Sequence, residues 1–234
     1  MIRKFYQDVA VAEAGGGWQV TLDGRGIKTV AGAPQIVPTR ALAEALAGEW
    51  ARQGDRIDPK SLPLRDMADY ALDMVAPDPA ALAHQLAAYG DTDTLCYRAD
   101  PDEPLHARQL AEWEPLVADF EARFAVRLVR VSGILHRPQD PAALALLTGR
   151  MAGANPFVLA GLEAMTKLAA SLVTGLLALE AGDEAGALKL WQAACLEEEW
   201  QAELWGRDEE AEERRARREA DFLRAWRFAR LAQN

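Results

Sequence analysis

The residues Leu196-Glu197-Glu198-Glu199-Trp200-Gln201-Ala202-Glu203-Leu204-Trp205-Gly206 set consecutive carboxylates among indoles and leucines. Read as one helix with successive residues ~100° apart, Leu190, Ala193, Leu196, Trp200 and Leu204 share a broad arc, and Glu197 falls inside it. Leu188, Trp191 and Cys195 make a second arc, flanked by Glu198 and Glu199. A surface helix normally separates its glutamates from its leucines; here some charge must touch apolar surface. One reading is structural, with the carboxylates carried to the rim of the core and shielded by Trp200 and Trp205. The other is recognition. Glu197, Glu198, Glu199, Trp200, Gln201 and Trp205 would then form an acidic, aromatic patch that buries tryptophan against a partner and bonds its Arg or Lys.

Asp91-Thr92-Asp93-Thr94-Leu95-Cys96-Tyr97 follows a helix stop at Gly90, and its short polar side chains suit capping of the next segment. Asp91 and Asp93 together with a glutamate of the acidic helix also allow a carboxylate enzyme, provided that they converge in one pocket. Other chemistry has less support. His84, His106 and His136 stand apart from one another and from both cysteines, so surface or capping roles suit them. No nucleophile elbow surrounds Ser61, Ser132 or Ser171. The phosphate-loop pattern GxxxxGK followed by Ser or Thr does not occur, which argues against a nucleotide-driven machine. Neither a metal nor a cofactor is expected.

Composition narrows the class further. The 234 residues are half apolar and carry a net charge of −10, so a nucleic-acid surface is not expected. Cys96 and Cys195 lie outside any CxxC pattern, which suits a reducing compartment and small buried side chains. The N-terminus lacks the apolar stretch of a signal peptide. The longest apolar run, 157 to 179, contains Glu163 and Lys167 at i,i+4, as a buried core helix would and a membrane span would not. A cytoplasmic protein without membrane insertion is expected.

These side chains need elements to hold them. Val9-Val11 and Trp18-Val20-Leu22 alternate as half-buried strands do, Asp23-Gly24 signals a hairpin, and a third strand is predicted near 27 to 30. Thr39 can cap a helix through Leu42, Leu46 and Trp50 to Gly54, where Glu49, Trp50 and Gln53 read as packing between layers. Beyond Leu64 the pattern is helical, with Asp78-Pro79, Asp140-Pro141 and Asn155-Pro156 marking starts. Helices are predicted over about 65–75, 79–89, 105–124, 141–152, 156–180, 184–205 and 208–231, with a short extended piece near Leu128-Val129-Val131. On the last helix, Glu210 with Arg214 and Glu213 with Arg217 suit a solvated face. The fold class is α+β, a β-rich N-terminal domain with one helix over 1–60 and a helical domain over 61–234.

Several motifs in fixed order carry a resemblance. They are Arg3-Lys4-Phe5-Tyr6, Leu22-Asp23-Gly24-Arg25, Lys28-Thr29, Glu49-Trp50 with Gln53, Asp91 to Arg98, the Gln109–Trp113–Pro115 spacing, and Leu196-Glu197-Glu198-Glu199 with Gln201 and Trp205-Gly206. Over nearly its whole length the chain resembles the F-type ATP synthase assembly chaperones that handle the alpha subunit of the catalytic head, the ATP synthase assembly factor two family. The resemblance implies a chaperone that binds the free alpha subunit and shields its interface until the beta subunit replaces it. It implies no catalysis and no nucleotide. It carries the family's acidic-helix glutamate onto Glu197, Glu198 or Glu199, and its first-helix tryptophan onto Trp50 in a structural role. Because the motifs begin close to residue 1, a bacterial cytoplasmic member is expected. A general adaptor for exposed peptides is the remaining alternative, differing in its many clients.

Overall fold

The computed structural model describes residues 2–133 and 135–233. It is an α+β protein with a small N-terminal β region and a larger helical part. The chain packs as two units. One runs through Pro79 and adds Ala154–Gly161 and the residues from Arg227 onward; the other takes Ala80–Gly153 and Leu162–Trp226.

In the first unit, β1 (Val9–Ala14) and β2 (Gly17–Leu22) pair antiparallel with Ala14 opposite Gly17. Gly15 and Gly16 both take positive φ, the conformation that a two-residue turn matched to strand twist requires. Asp23 and Gly24 repeat this geometry at the next hairpin, where the Asp23 carboxylate also accepts from the backbone of Gln7 and Asp8. The third strand, β3, is Arg25–Gly26, two residues earlier than the hydrophobic pattern suggested. It starts there because a two-residue turn after Leu22 pairs Arg25 with Leu22 at once. A further strand, β4 (Ile36–Val37), pairs with β2.

Helix α1 (Arg40–Ala51) is capped by Thr39, whose hydroxyl accepts from Leu42 N and donates to the carbonyl of Leu231. It buries Leu42, Ala43, Leu46 and Trp50 beneath the sheet residues Val20, Leu22 and Val37. The buried Glu49 carboxylate receives Leu64 N at 2.9 Å and Arg65 N at 3.0 Å, at the start of α2 (Pro63–Tyr70). An anion at a helix N-terminus meets unpaired amides and the positive end of the dipole. The helical path then continues as a π-type turn over Ala71–Val75.

The second unit is built from α3 (Pro79–Asp91), α4 (Pro104–Phe124), α5 (Pro141–Ala152), α6 (Pro156–Ala169), α7 (Leu172–Glu180), α8 (Glu184–Ala194), α9 (Leu196–Trp205) and α10 (Glu209–Ala232). The ends of α3, α6 and α10 belong to the first unit. Strands β5 (Tyr97–Arg98) and β6 (Val131–Ser132) pair in parallel. Pro79, Pro141 and Pro156 all stand at the first residue of a helix, where a missing N–H costs nothing. The fully buried Trp113, Phe120, Trp191 and Phe222 centre this unit, and Trp113 Nε1 donates to Ala193 O at 2.7 Å.

Two predicted long helices are each broken in two. The 156–180 stretch turns at Ala170, which has φ +48°, and restarts at Ser171, whose hydroxyl caps Thr174 N. The 184–205 stretch breaks at Cys195, where ψ is 9°. The arc drawn from Leu190 to Leu204 therefore does not continue in register across Cys195, and the carboxylates of α9 face different neighbours from those a single helix would give.

Candidate partner interface

Helix α9 brings the acidic motif against α4 and the part of α10 that belongs to the second unit. The three glutamates separate by direction. Glu197, half-buried, accepts from Gln109 Nε2 at 2.7 Å, and burial holds its carboxyl above the ordinary value despite that bond. Gln109 itself is fully buried, and its Oε1 accepts from Ala99 N at 2.8 Å. Glu199 turns to α10 and pairs with Arg215 and Arg207. Desolvation pushes its carboxyl up, but the two guanidiniums outweigh that and hold it below the usual range. Glu198 pairs with Arg218 at 2.7 Å, and Arg218 also lies over the Trp191 ring and donates to Leu168 O.

The rest of α9 is tied to α4 through Arg108. Glu203 pairs with Arg108 at 2.7 Å, and the same guanidinium sits over the half-buried Trp200 ring. Gln201 is exposed. At the helix end Leu204 is 62 % exposed and Trp205 86 % exposed, followed by Gly206 at φ +93°. A tryptophan that exposed loses most of its favourable burial, while its neighbours on the helix have their charges matched inside the protein. The arrangement can therefore offer apolar surface more readily than a free carboxylate.

The other candidates lie elsewhere. Asp93 is completely buried, and its carboxylate accepts from Leu95 N, Ser171 Oγ and Val173 N at 2.8 to 3.0 Å, tying the turn after α3 to the start of α7. Burial still pushes it up to about 6. Asp91 accepts from Gln139 N at 2.7 Å and lies 3.5 Å from His136 Nε2. Both aspartates thus act on neighbouring backbone, and Glu198 and Glu199 are engaged with α10. Among the described residues no three His, Cys, Asp or Glu side chains gather as a metal-holding group. Trp50 packs edge-on against Tyr6, whose hydroxyl donates to Trp50 O at 2.7 Å. No helix among the described residues is long and apolar enough to cross a membrane.

The functional neighbours that sequence reading passed over are Arg108, Arg207, Arg215 and Arg218. A signal for two of them was present. Phe222, Ala225, Trp226 and Ala229 form the buried face of α10, and Arg218 and Arg215 extend that face one and two turns toward the N-terminus. Cations on the inner face of a helix need carboxylate partners.

The ATP12 chaperone protein family matches residues 3–121. The chain belongs to the ATP12 chaperone family. Beyond the matched segment, the likeness of ATP12 proteins runs through the whole fold. Atp12 from Paracoccus denitrificans is 38 % identical with a TM-score of 0.91, over 99 % of both chains. A mutant of the same Paracoccus protein gives 38 % and 0.91 over 99 % of this chain and 98 % of that one. A putative chaperone from Agrobacterium tumefaciens is 34 % identical with a TM-score of 0.88, over 99 % of this chain and 85 % of that one. Protein atp12 of Schizosaccharomyces pombe, a mitochondrial protein, is 26 % identical over 226 residues, 90 % of this chain and 76 % of its own length. The role is accordingly that of an ATP12-family chaperone in ATP synthase assembly.

Proposed function

We propose that this ATP12-family chaperone acts in the cytoplasm on the free alpha subunit of the F-type ATP synthase catalytic head. It holds that subunit through the exposed end of α9 and shields its interface until the beta subunit takes its place. The observation that carries this reading is the pairing of Leu204 and Trp205, 62 % and 86 % exposed, at the end of a helix whose neighbouring charges are met internally. An exposed indole gives a partner a large, stiff apolar surface, and such residues dominate protein interfaces. In this reading Glu197, Glu198 and Glu199 act mainly by fixing the helix, while Trp200, Gln201 and Trp205 face the client. The proposed exchange for the beta subunit needs no nucleotide, because a larger and better matched interface is enough to displace the chaperone.

Capture of the purified alpha subunit on the immobilised full chain tests the reading. Enrichment well above a control protein of similar acidity is expected. Recovery no greater than the control would remove the alpha subunit as client.

A further inference from the structure

The first unit carries a second surface, distinct from α9, in a cleft of about 530 Å³. Its floor is apolar, formed by the buried Leu22, Ile27 and Trp50, and the side chain of Phe5, 67 % exposed, stands as one wall. Arg25 and Lys28 line the rim and are exposed, and neither is held in an ion pair among the described residues. Asp23 also lines the cleft; its Oδ1 accepts from both Gln7 N and Asp8 N, and its charge acts on Arg25.

We propose that this cleft binds an apolar segment of a client polypeptide that bears a carboxylate. Charge decides the occupant. On a chain of net charge −10, a rim where Arg25 and Lys28 outnumber Asp23 beside an apolar floor favours an acidic peptide, and the surrounding field repels such a peptide elsewhere. Phe5 supplies an aromatic surface that such a segment can cover, and the exposed Arg25 and Lys28 can bond its carboxylate. One such ligand would cover the exposed Phe5 and meet the excess positive charge of the rim.

The test uses the full chain and two fluorescein-labelled peptides of equal length, rich in Leu and Phe, one carrying glutamates and the other lysines in their place. Fluorescence anisotropy is expected to show binding of the glutamate peptide at least tenfold tighter than the lysine peptide. The exposed double substitution Arg25→Glu with Lys28→Glu is expected to erase that preference, and Phe5→Ala to weaken both peptides, with unchanged melting temperatures. Equal binding of the two peptides, or a preference that survives the double substitution, overturns the proposal. So does sedimentation showing that the substitutions abolish a dimer, since the occupant would then be a second copy. Because α9 contributes no residue to the cleft, loss of the peptide effect with alpha-subunit capture retained sinks this proposal alone.

Discussion

Gln109 and Glu197 meet across α4 and α9 at 2.7 Å, and Gln109 turns its other end to the backbone of Ala99 at 2.8 Å. One buried amide thus sets the position of the acidic helix. This pairing decides which glutamate faces inward, and it leaves α9 free to present its far end.

Replacing Gln109 with Ala is therefore expected to strand the Ala99 N–H and the half-buried Glu197 carboxylate together. An unsatisfied buried polar group costs ~1–3 kcal/mol, so a loss of about 2 kcal/mol or more is expected in urea unfolding. A change under about 0.5 kcal/mol would mean that water replaces the amide and that the pairing does not set the helix.

Glu197 and Glu199 are expected to respond to pH with opposite sign. Burial raises the folded value of Glu197 above the ordinary 4.5, so its native state holds the proton more tightly than the unfolded chain. Its contribution is favourable below 4.5 and is lost as pH rises through the folded value. Glu197→Gln should therefore gain stability relative to the parent as pH climbs from 4 toward 7. Glu199 is held below 4.5 by Arg215 and Arg207, so its contribution is present above 4.5 and is lost as pH falls through the folded value. Glu199→Gln should be least costly at acid pH, and because solvent reaches the pairing through the exposed Arg207 its cost at neutral pH should stay under about 1 kcal/mol. Parallel pH–stability curves for the two variants would contradict the assignment of directions.

Asp93 serves as a structural tie, and Asp93→Ala should show it. The substitution leaves Leu95 N, Ser171 Oγ and Val173 N without their acceptor in a site closed to solvent. A loss of ~3 kcal/mol or more is expected from chemical denaturation. Retention of parental stability would show that the three donors find other partners, and would leave the carboxylate in need of another explanation.

Gly175 offers a case in which packing opposes propensity. Alanine is favoured over glycine inside a helix by ~1 kcal/mol. Here, however, an added Cβ would stand 2.5 Å from Thr166 Oγ1 and 3.1 Å from Leu162 Cδ1, both in the facing helix α6. Overpacking at ~1–3 kcal/mol should win, so Gly175→Ala is expected to lower the melting temperature. A higher one would show that α6 and α7 have room to part.

Much of the fold was legible because local chemistry marks it. Asp23-Gly24 names a turn, Thr39 a cap, and the three proline starts name helices, whatever the distant packing. The breaks at Ala170 and Cys195 were not legible. Apolar residues continue across both, and only tertiary ties, such as Asp93 gripping Ser171 and Val173, decide where the backbone turns. The site was half legible. Composition placed carboxylates beside tryptophan on α9, but their directions depend on Gln109, Arg215 and Arg218, which lie 88, 16 and 20 residues away along the chain. Periodicity within one helix carries no information about which arginine of another helix will meet it.

The most direct test is the affinity of the alpha subunit for Trp205→Ala. The side chain is 86 % exposed, so its removal should leave the melting temperature of the free chain unchanged. As an interface anchor it should cost ~2 kcal/mol or more in binding, at least a tenfold loss of affinity by surface plasmon resonance. Parental affinity in a folded Trp205→Ala protein would contradict the assignment of the α9 end as the client-binding surface.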